Sequence, residues 1–216
     1  DFLIGVIGSL EDCKTVKEDI KNYLKEALKL ELSDEKTLIT NAQKPAKFLG
    51  FDIFIRRSND LRKDINGKTI RSLGHVPVLY LNYETMRKKL FDYKAARIAV
   101  ENGKEIWKSI VRTYMIDLDD LEIVSQFNAE IRGFYNYYSI ANNSPAINSF
   151  YHIMSYSMYK TFARKYKSSV KKILFQYKKD GTFKVAYENS KGKTLYQSFY
   201  HDGFKRKKIA GATSCD

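Results

Sequence analysis

Asp119-Asp-Leu-Glu-Ile-Val-Ser-Gln-Phe-Asn128, separated by three residues from Arg132-Gly-Phe-Tyr-Asn-Tyr-Tyr138, carries with it the most structural information in this chain. Asp117, Asp119 and Asp120 supply the side-chain acceptors and negative charge that suit the N-terminal end of a helix. Behind them Ile123, Phe127, Ile131 and Phe134 recur at helical spacing, and Tyr138 and Ala141 extend the same apolar face. A helix with such a face needs other elements to cover it.

Downstream, Ser144-Pro145 starts another helix, since Ser caps and Pro fits the first turn; helical segments run to about Tyr177 with a break. At Gly181 the period shortens to two. Phe183, Val185 and Tyr187 share one face, a turn spans Asn189 to Lys193, and Leu195 to Tyr200 returns, which is a β-hairpin. Upstream, Asn82 caps a helix through about Ala95, and the periodicity from there onward is helical.

The first 80 residues read differently. Phe2 to Ile7 is an apolar, β-prone run that fits a buried strand, and a chain beginning inside a strand reads as truncated. Ser9 and Asp12 form a capping-box variant before an amphipathic helix over 10–31, with Cys13, Val16, Ile20, Leu24, Ala27 and Leu28 at helical spacing. The runs Thr37 to Ile39 and Lys47 to Ile55 predict a hairpin, and 56–74, with Asn66-Gly67, predicts an exposed β-excursion or loop. Together these features predict an α+β fold: strand, helix and hairpin in 1–80, a mainly helical region in 81–180, and a short basic hairpin tail in 181–216.

Charge is distributed unevenly. The chain has a net charge of +13, yet residues 1–60 carry 10 Lys/Arg against 11 Asp/Glu, whereas residues 160–208 carry 15 against 3. A concentrated cationic surface attracts phosphate backbones through counterion release, which makes nucleic acid the leading partner. The longest apolar run is far shorter than the roughly 20 residues a membrane span needs, and an anionic membrane ranks second to nucleic acid because the basic segment lacks a clean amphipathic face, so no membrane partner is expected. Cys13 and Cys215 stand alone, without the spacing of a zinc site or a disulfide framework, and read as reduced intracellular thiols. His75, His152 and His201 are scattered, and no nucleophile constellation or phosphate-cradling glycine loop is visible.

Several of these segments resemble one known family in order along the chain. Asp1-Phe-Leu-Ile-Gly5 resembles the second aspartate of the Tyr-Ala-Asp-Asp motif of reverse transcriptases with the residues after it, and Lys47-Phe-Leu-Gly-Phe51 resembles the palm hairpin that comes next. The blocks Asp119–Asn128 and Arg132–Tyr138, with Asn142, resemble the thumb, or domain X, of group II intron-encoded reverse transcriptase/maturases; Tyr156–Tyr166 continues the likeness. Gly203-Phe-Lys-Arg-Lys-Lys208 resembles the start of their DNA-binding region.

The resemblance implies the end of a polymerase palm in 1–80, a thumb and maturase domain in 81–180, and the start of a basic DNA-binding region in 181–216. It implies an RNA-directed DNA polymerase that also assists intron splicing, or alternatively a splicing-only maturase. Its partners would be group II intron RNA, an RNA template with DNA primer, target DNA and dNTPs, in the cytoplasm of a bacterium or in an organelle. Asp1 would be the catalytic carboxylate and a ligand of Mg2+. One carboxylate cannot hold the two ions such a reaction uses, so this segment alone is expected to be inactive without the upstream aspartates.

For RNA contact the resemblance singles out Arg132, Tyr135 and Tyr137, with Lys160, Arg164, Lys165, Lys167, Lys171 and Lys172 as a basic helical face; for DNA it singles out Lys205, Arg206, Lys207 and Lys208. A guanidinium among aromatic rings suits phosphate contacts and base stacking. Packing is the other reading for Tyr138, a buried structural pair for Arg132, and a solvated surface for both lysine runs.

Overall fold

The computed structural model describes residues 2–57, 61–64, 66–71 and 76–207. The fold is α+β, and the chain divides into two compact units, residues 1–79 and 80–216.

In the first unit, helix α1 (Leu10–Ala27) starts at the capping box: the Ser9 side chain accepts from the Asp12 N–H, and the Asp12 carboxylate accepts from the Ser9 N–H at 2.6 Å. It stops before the expected end, because the chain turns at Leu28 and Lys29 takes a left-handed conformation. Strands β1 (Ala46–Phe48) and β2 (Phe51–Arg56) form a hairpin, and β5 (Val76–Leu81) lies on the other edge of β2. Strands β3 (Leu61–Lys63) and β4 (Thr69–Arg71) form a second hairpin.

Two expectations for this unit need correction. Residues 2–8 form no strand and most of their side chains are exposed, Ile7 completely; a strand requires a ladder partner, and none of the described residues provides one. Thr37 to Ile39 is not a strand either. The hairpin forms inside the second run, because Leu49 and Gly50, with φ of +49° and +78°, make a two-residue left-handed turn matched to strand twist.

The second unit contains the main core. Helix α3 (Asp120–Tyr138) begins at a capping box between Asp119 and Glu122, and packs Phe127, Ile131 and Phe134 inward. Helix α4 (Ile147–Lys165) follows a 3₁₀ turn at Ser144–Ala146 and contributes Phe150, Met154, Met158 and Phe162, all fully buried. Phe134 and Phe150 stack with centroids 4.1 Å apart. Lys167, at a φ of +45°, breaks the helical run before the short helix α5 (Val170–Tyr177).

Strands β8 (Lys178–Lys179), β9 (Thr182–Glu188) and β10 (Thr194–Ser198) form an antiparallel sheet against these helices. Phe183 and Val185 alternate into the core as period two requires, with Phe199 just past β10. Asn128 pins the end of β10 to α3: its Nδ2 donates to the Ser198 carbonyl at 2.8 Å and its Oδ1 accepts from the Tyr200 N–H at 2.7 Å. The tail hairpin is therefore integral to this unit, not an appendage.

The stretch after Asn82 also needs correction. Asn82 caps helix α2 (Tyr83–Asp92) through the Glu84 N–H, but the helix ends at Asp92. Strands β6 (Ala96–Glu101) and β7 (Lys104–Ser109) then form a hairpin where helical periodicity was expected. Asn102-Gly103, with φ of +53° and +73°, is the turn, and an Asn-Gly pair is among the strongest local hairpin signals in any sequence.

Candidate nucleic-acid interface

The basic segment is organised by one carboxylate. Asp120, in the first turn of α3, accepts from Lys165 Nζ at 2.7 Å, from the Tyr166 hydroxyl at 2.7 and 2.8 Å, and from the Tyr177 hydroxyl at 2.7 Å. These donors come from the end of α4, the residue after it and the end of α5, so Asp120 sets how α5 lies on the domain. Burial is the main cause that raises the Tyr166 and Tyr177 phenols above their ordinary range; the carboxylate adds to it. Ile173 anchors α5 from beneath.

Held in this way, α5 turns Lys171, Lys172, Phe175 and Gln176 to solvent. Arg164 and Lys167 are exposed just before it, and Lys178 and Lys179 just after. Among the described residues none of Arg164, Lys167, Lys171 and Lys172 has an ion-pair partner, so this cationic surface is uncompensated. Such a surface lowers its own repulsion by gathering anions, and a phosphate chain does so best.

Other expected contact residues divide by burial. Lys160 donates to the Ser109 carbonyl at 2.7 Å, tying α4 to β7, and Lys165 is half-buried between Asp120 and the Leu118 carbonyl. Both ammonium groups are already engaged inside the domain, which corrects their reading as members of the open face. Tyr135 is corrected too: it is 2% exposed, packs edge-on to Phe204 at 5.2 Å, and donates its hydroxyl to the Lys205 carbonyl at 2.8 Å. A ring enclosed on both faces cannot stack on a base.

Arg132 is exposed, its guanidinium 5.0 Å from the centre of the Tyr200 ring, and Tyr137 remains half exposed beside Tyr138. Tyr138 is packed in the core. Lys205, Arg206 and Lys207 run past the C-terminal end of α3 with exposed side chains. Arg206 Nε donates to the Ile140 carbonyl at 3.1 Å, the Lys207 N–H donates to the Ser139 carbonyl at 2.8 Å, and Lys207 Nζ lies 4.8 Å over the Tyr135 ring. Cations there complement the helix C-terminus. Asp1 and Lys208 lie outside the described residues.

Arg112 escaped the sequence reading altogether. Its side chain is fully buried, with the guanidinium carbon 4.0 Å from the centre of the Phe127 ring and Nη1 2.7 Å from Glu130 Oε2. The carboxylate oxygen lies off the N–H direction, making the contact an ion pair rather than an aligned hydrogen bond. The Arg112 N–H also donates to Thr161 of α4, so the residue joins both central helices. Only the isolation of Arg112 in an apolar stretch and the placement of Glu130 beside the Phe127–Ile131 face hinted at this pair.

Among the described residues no three His, Cys, Asp or Glu side chains converge, so they do not fit a magnesium site by themselves. No helix among them is long and apolar enough to cross a membrane.

The basic face belongs to a segment with known counterparts. A family model described as Type II intron maturase matches residues 81–210, which takes in α2 through the tail hairpin. The chain is 40% identical over 194 residues to the group II intron-encoded protein LtrA of Lactococcus lactis subsp. cremoris, covering 89% of the chain and 32% of that protein. It is 36% identical over 179 residues to the protein of COX1/OXI3 intron 1 of Saccharomyces cerevisiae, covering 77% of the chain and 20% of that protein. The protein of COX1/OXI3 intron 2 from the same yeast is 29% identical over 187 residues. The chain thus spans about a third or less of the length of these relatives. With more than half of its residues matched, the chain belongs to the type II intron maturase family.

Proposed function

We propose that this chain is the RNA-binding maturase portion of a group II intron-encoded reverse transcriptase, and that it assists splicing by holding folded intron RNA against the α4–α5 cationic face. The observation that carries this reading is the uncompensated cluster of Arg164 at the end of α4, Lys167 in the break after it, and Lys171 and Lys172 on α5, whose orientation Asp120 sets. In this reading residues 1–80 are the last part of a polymerase palm, 81–180 the thumb and maturase domain, and the tail leads into a DNA-binding region through Lys205, Arg206, Lys207 and Lys208. The parent protein would copy an RNA template from a DNA primer, using dNTPs, and engage target DNA.

Polymerisation of that kind draws on Mg2+ held by Asp1 together with further carboxylates. A splicing-only maturase is the second reading. In it the same cationic face would bind the intron RNA and no metal would be used.

The test is the salt dependence of binding to a transcribed group II intron RNA. Replacing Arg164, Lys171 and Lys172 by Gln should weaken binding and flatten the slope of log affinity against log salt by about 0.7–0.9 for each lost phosphate contact. An unchanged slope would return these residues to a solvated surface. In the complete intron-encoded protein, Asp1→Ala should abolish primer extension on an RNA template and leave intron binding intact if the parent is a polymerase. Absence of primer extension before any substitution would favour the splicing-only reading.

A further inference from the structure

Phe175 is 91% exposed on α5, whose charged residues are Lys171 and Lys172. Helix α5 has its apolar side satisfied, with Ile173 buried and Val170, Leu174 and Tyr177 half-buried, so Phe175 is no misplaced core residue. It shares roughly 100° of the helix circumference with Lys171 and Lys172, which lie one turn before it. No acidic residue occurs anywhere on α5. Just beyond, Lys179 lies 5.0 Å over the half-exposed ring of Tyr196.

Burying a phenylalanine contributes about 1.5–3 kcal/mol, so a partner able to cover this ring gains from it. The surrounding cations require that partner to be anionic, and an isolated ring needs a flat apolar surface. A continuous duplex presents phosphates but keeps its base faces stacked internally. An unpaired base between two phosphates offers both features together.

We infer that Phe175 stacks on an unpaired base of the bound RNA while Lys171 and Lys172 hold the flanking phosphates, so that this face selects RNA carrying a loop or bulge over continuous duplex. The inference rests on the RNA-binding reading above. An acidic protein or an anionic lipid surface would use the same cations but would not discriminate between the two forms of RNA.

The full chain is titrated with two probes having equal numbers of phosphates, an RNA hairpin with an unpaired loop and a fully paired RNA duplex, alongside vesicles containing phosphatidylserine. The looped RNA should bind more tightly than the duplex. Phe175→Ala should lower affinity for the looped RNA by about 5- to 150-fold, with little change on the duplex and no change in salt slope, whereas Phe175→Trp should retain the preference. Alanine at an exposed helical position preserves the helix, so a folding defect does not obscure the result.

Unaltered looped-RNA binding by Phe175→Ala, equal losses on both probes, or tighter binding to the vesicles than to either RNA would overturn the inference. Lys171→Gln and Lys172→Gln separate the two levels of failure. If they flatten the salt slope while Phe175→Ala is silent, stacking fails and the RNA face stands; if they leave the slope unchanged, the RNA-binding reading itself fails.

Discussion

Replacing Glu130 by Ala should destabilise the second unit by about 3 kcal/mol, near the lower end of the roughly 3–5 kcal/mol that breaking a buried ion pair costs. The magnitude comes from the surroundings each side chain retains. Arg112 has no exposed side-chain surface and Glu130 only 10%, so removing the carboxylate leaves a guanidinium that water cannot reach. The ring of Phe127, 4.0 Å from the guanidinium carbon, offsets part of that loss and keeps the value near the lower bound.

Trp107 makes the measurement selective. It is the single tryptophan of the chain and lies in β7 of the second unit, so its fluorescence during urea unfolding follows that unit. With a urea slope of about 2 kcal/mol per molar, the midpoint should fall by about 1.5 M. Arg112→Met alone should cost less than Glu130→Ala, because it leaves a carboxylate with access to solvent. Combining Arg112→Met with Glu130→Leu should recover most of the loss, since an apolar pair of similar volume replaces the ions. A loss below about 1 kcal/mol in Glu130→Ala, or a double variant as unstable as the sum of the single variants, would refute the assignment of this pair as a buried, coupled unit.

Asp120→Asn should cost about 1.5–3 kcal/mol in the same assay, since it removes the charge that accepts from Lys165, Tyr166 and Tyr177, and should weaken RNA binding without changing the salt slope. Wild-type affinity in that variant would show that α5 needs no such anchor. Alkaline pH should also unfold the second unit. Burial pushes the Tyr159 phenol up to about 12, and also raises those of Tyr93, Tyr135, Tyr138, Tyr151, Tyr166, Tyr177 and Tyr200. A folded-state value above the unfolded one means stability is full below pH 10 and is lost as pH rises through the folded values, by up to about 3 kcal/mol for Tyr159 alone. The absorbance of these eight tyrosinates and Trp107 fluorescence should therefore change together above pH 10; ionisation of all eight near pH 10 with Trp107 fluorescence unchanged would contradict this.

Local chemistry was legible wherever a short stretch contains its own partners. The Ser9–Asp12 box, the Asn82 cap, the acidic start of α3 and the period-two pattern around Phe183 each involve residues only a few positions apart, and each forms as expected. Asn102-Gly103 belongs to the same class, but the helical periodicity around it masks the turn. The family resemblance likewise needed only residue order, as the match over residues 81–210 reflects.

Which polar side chains remain available for a partner was a tertiary outcome. Lys165 and Lys171 are equivalent in composition and both lie in the basic run, yet one meets Asp120, 45 residues away in sequence, and the other meets solvent. Tyr135 and Tyr137 are two residues apart in the same aromatic block, and α3 turns the first under Phe204 and leaves the second half exposed. Arg112 becomes a buried centre because α3 and α4 enclose it. Sequence alone determined most of the elements, the family and where the charge is concentrated, because these depend on near neighbours and on order. The assignment of each cation and ring to core or surface waited on the fold, because desolvation and ion pairing depend on distances that only packing sets.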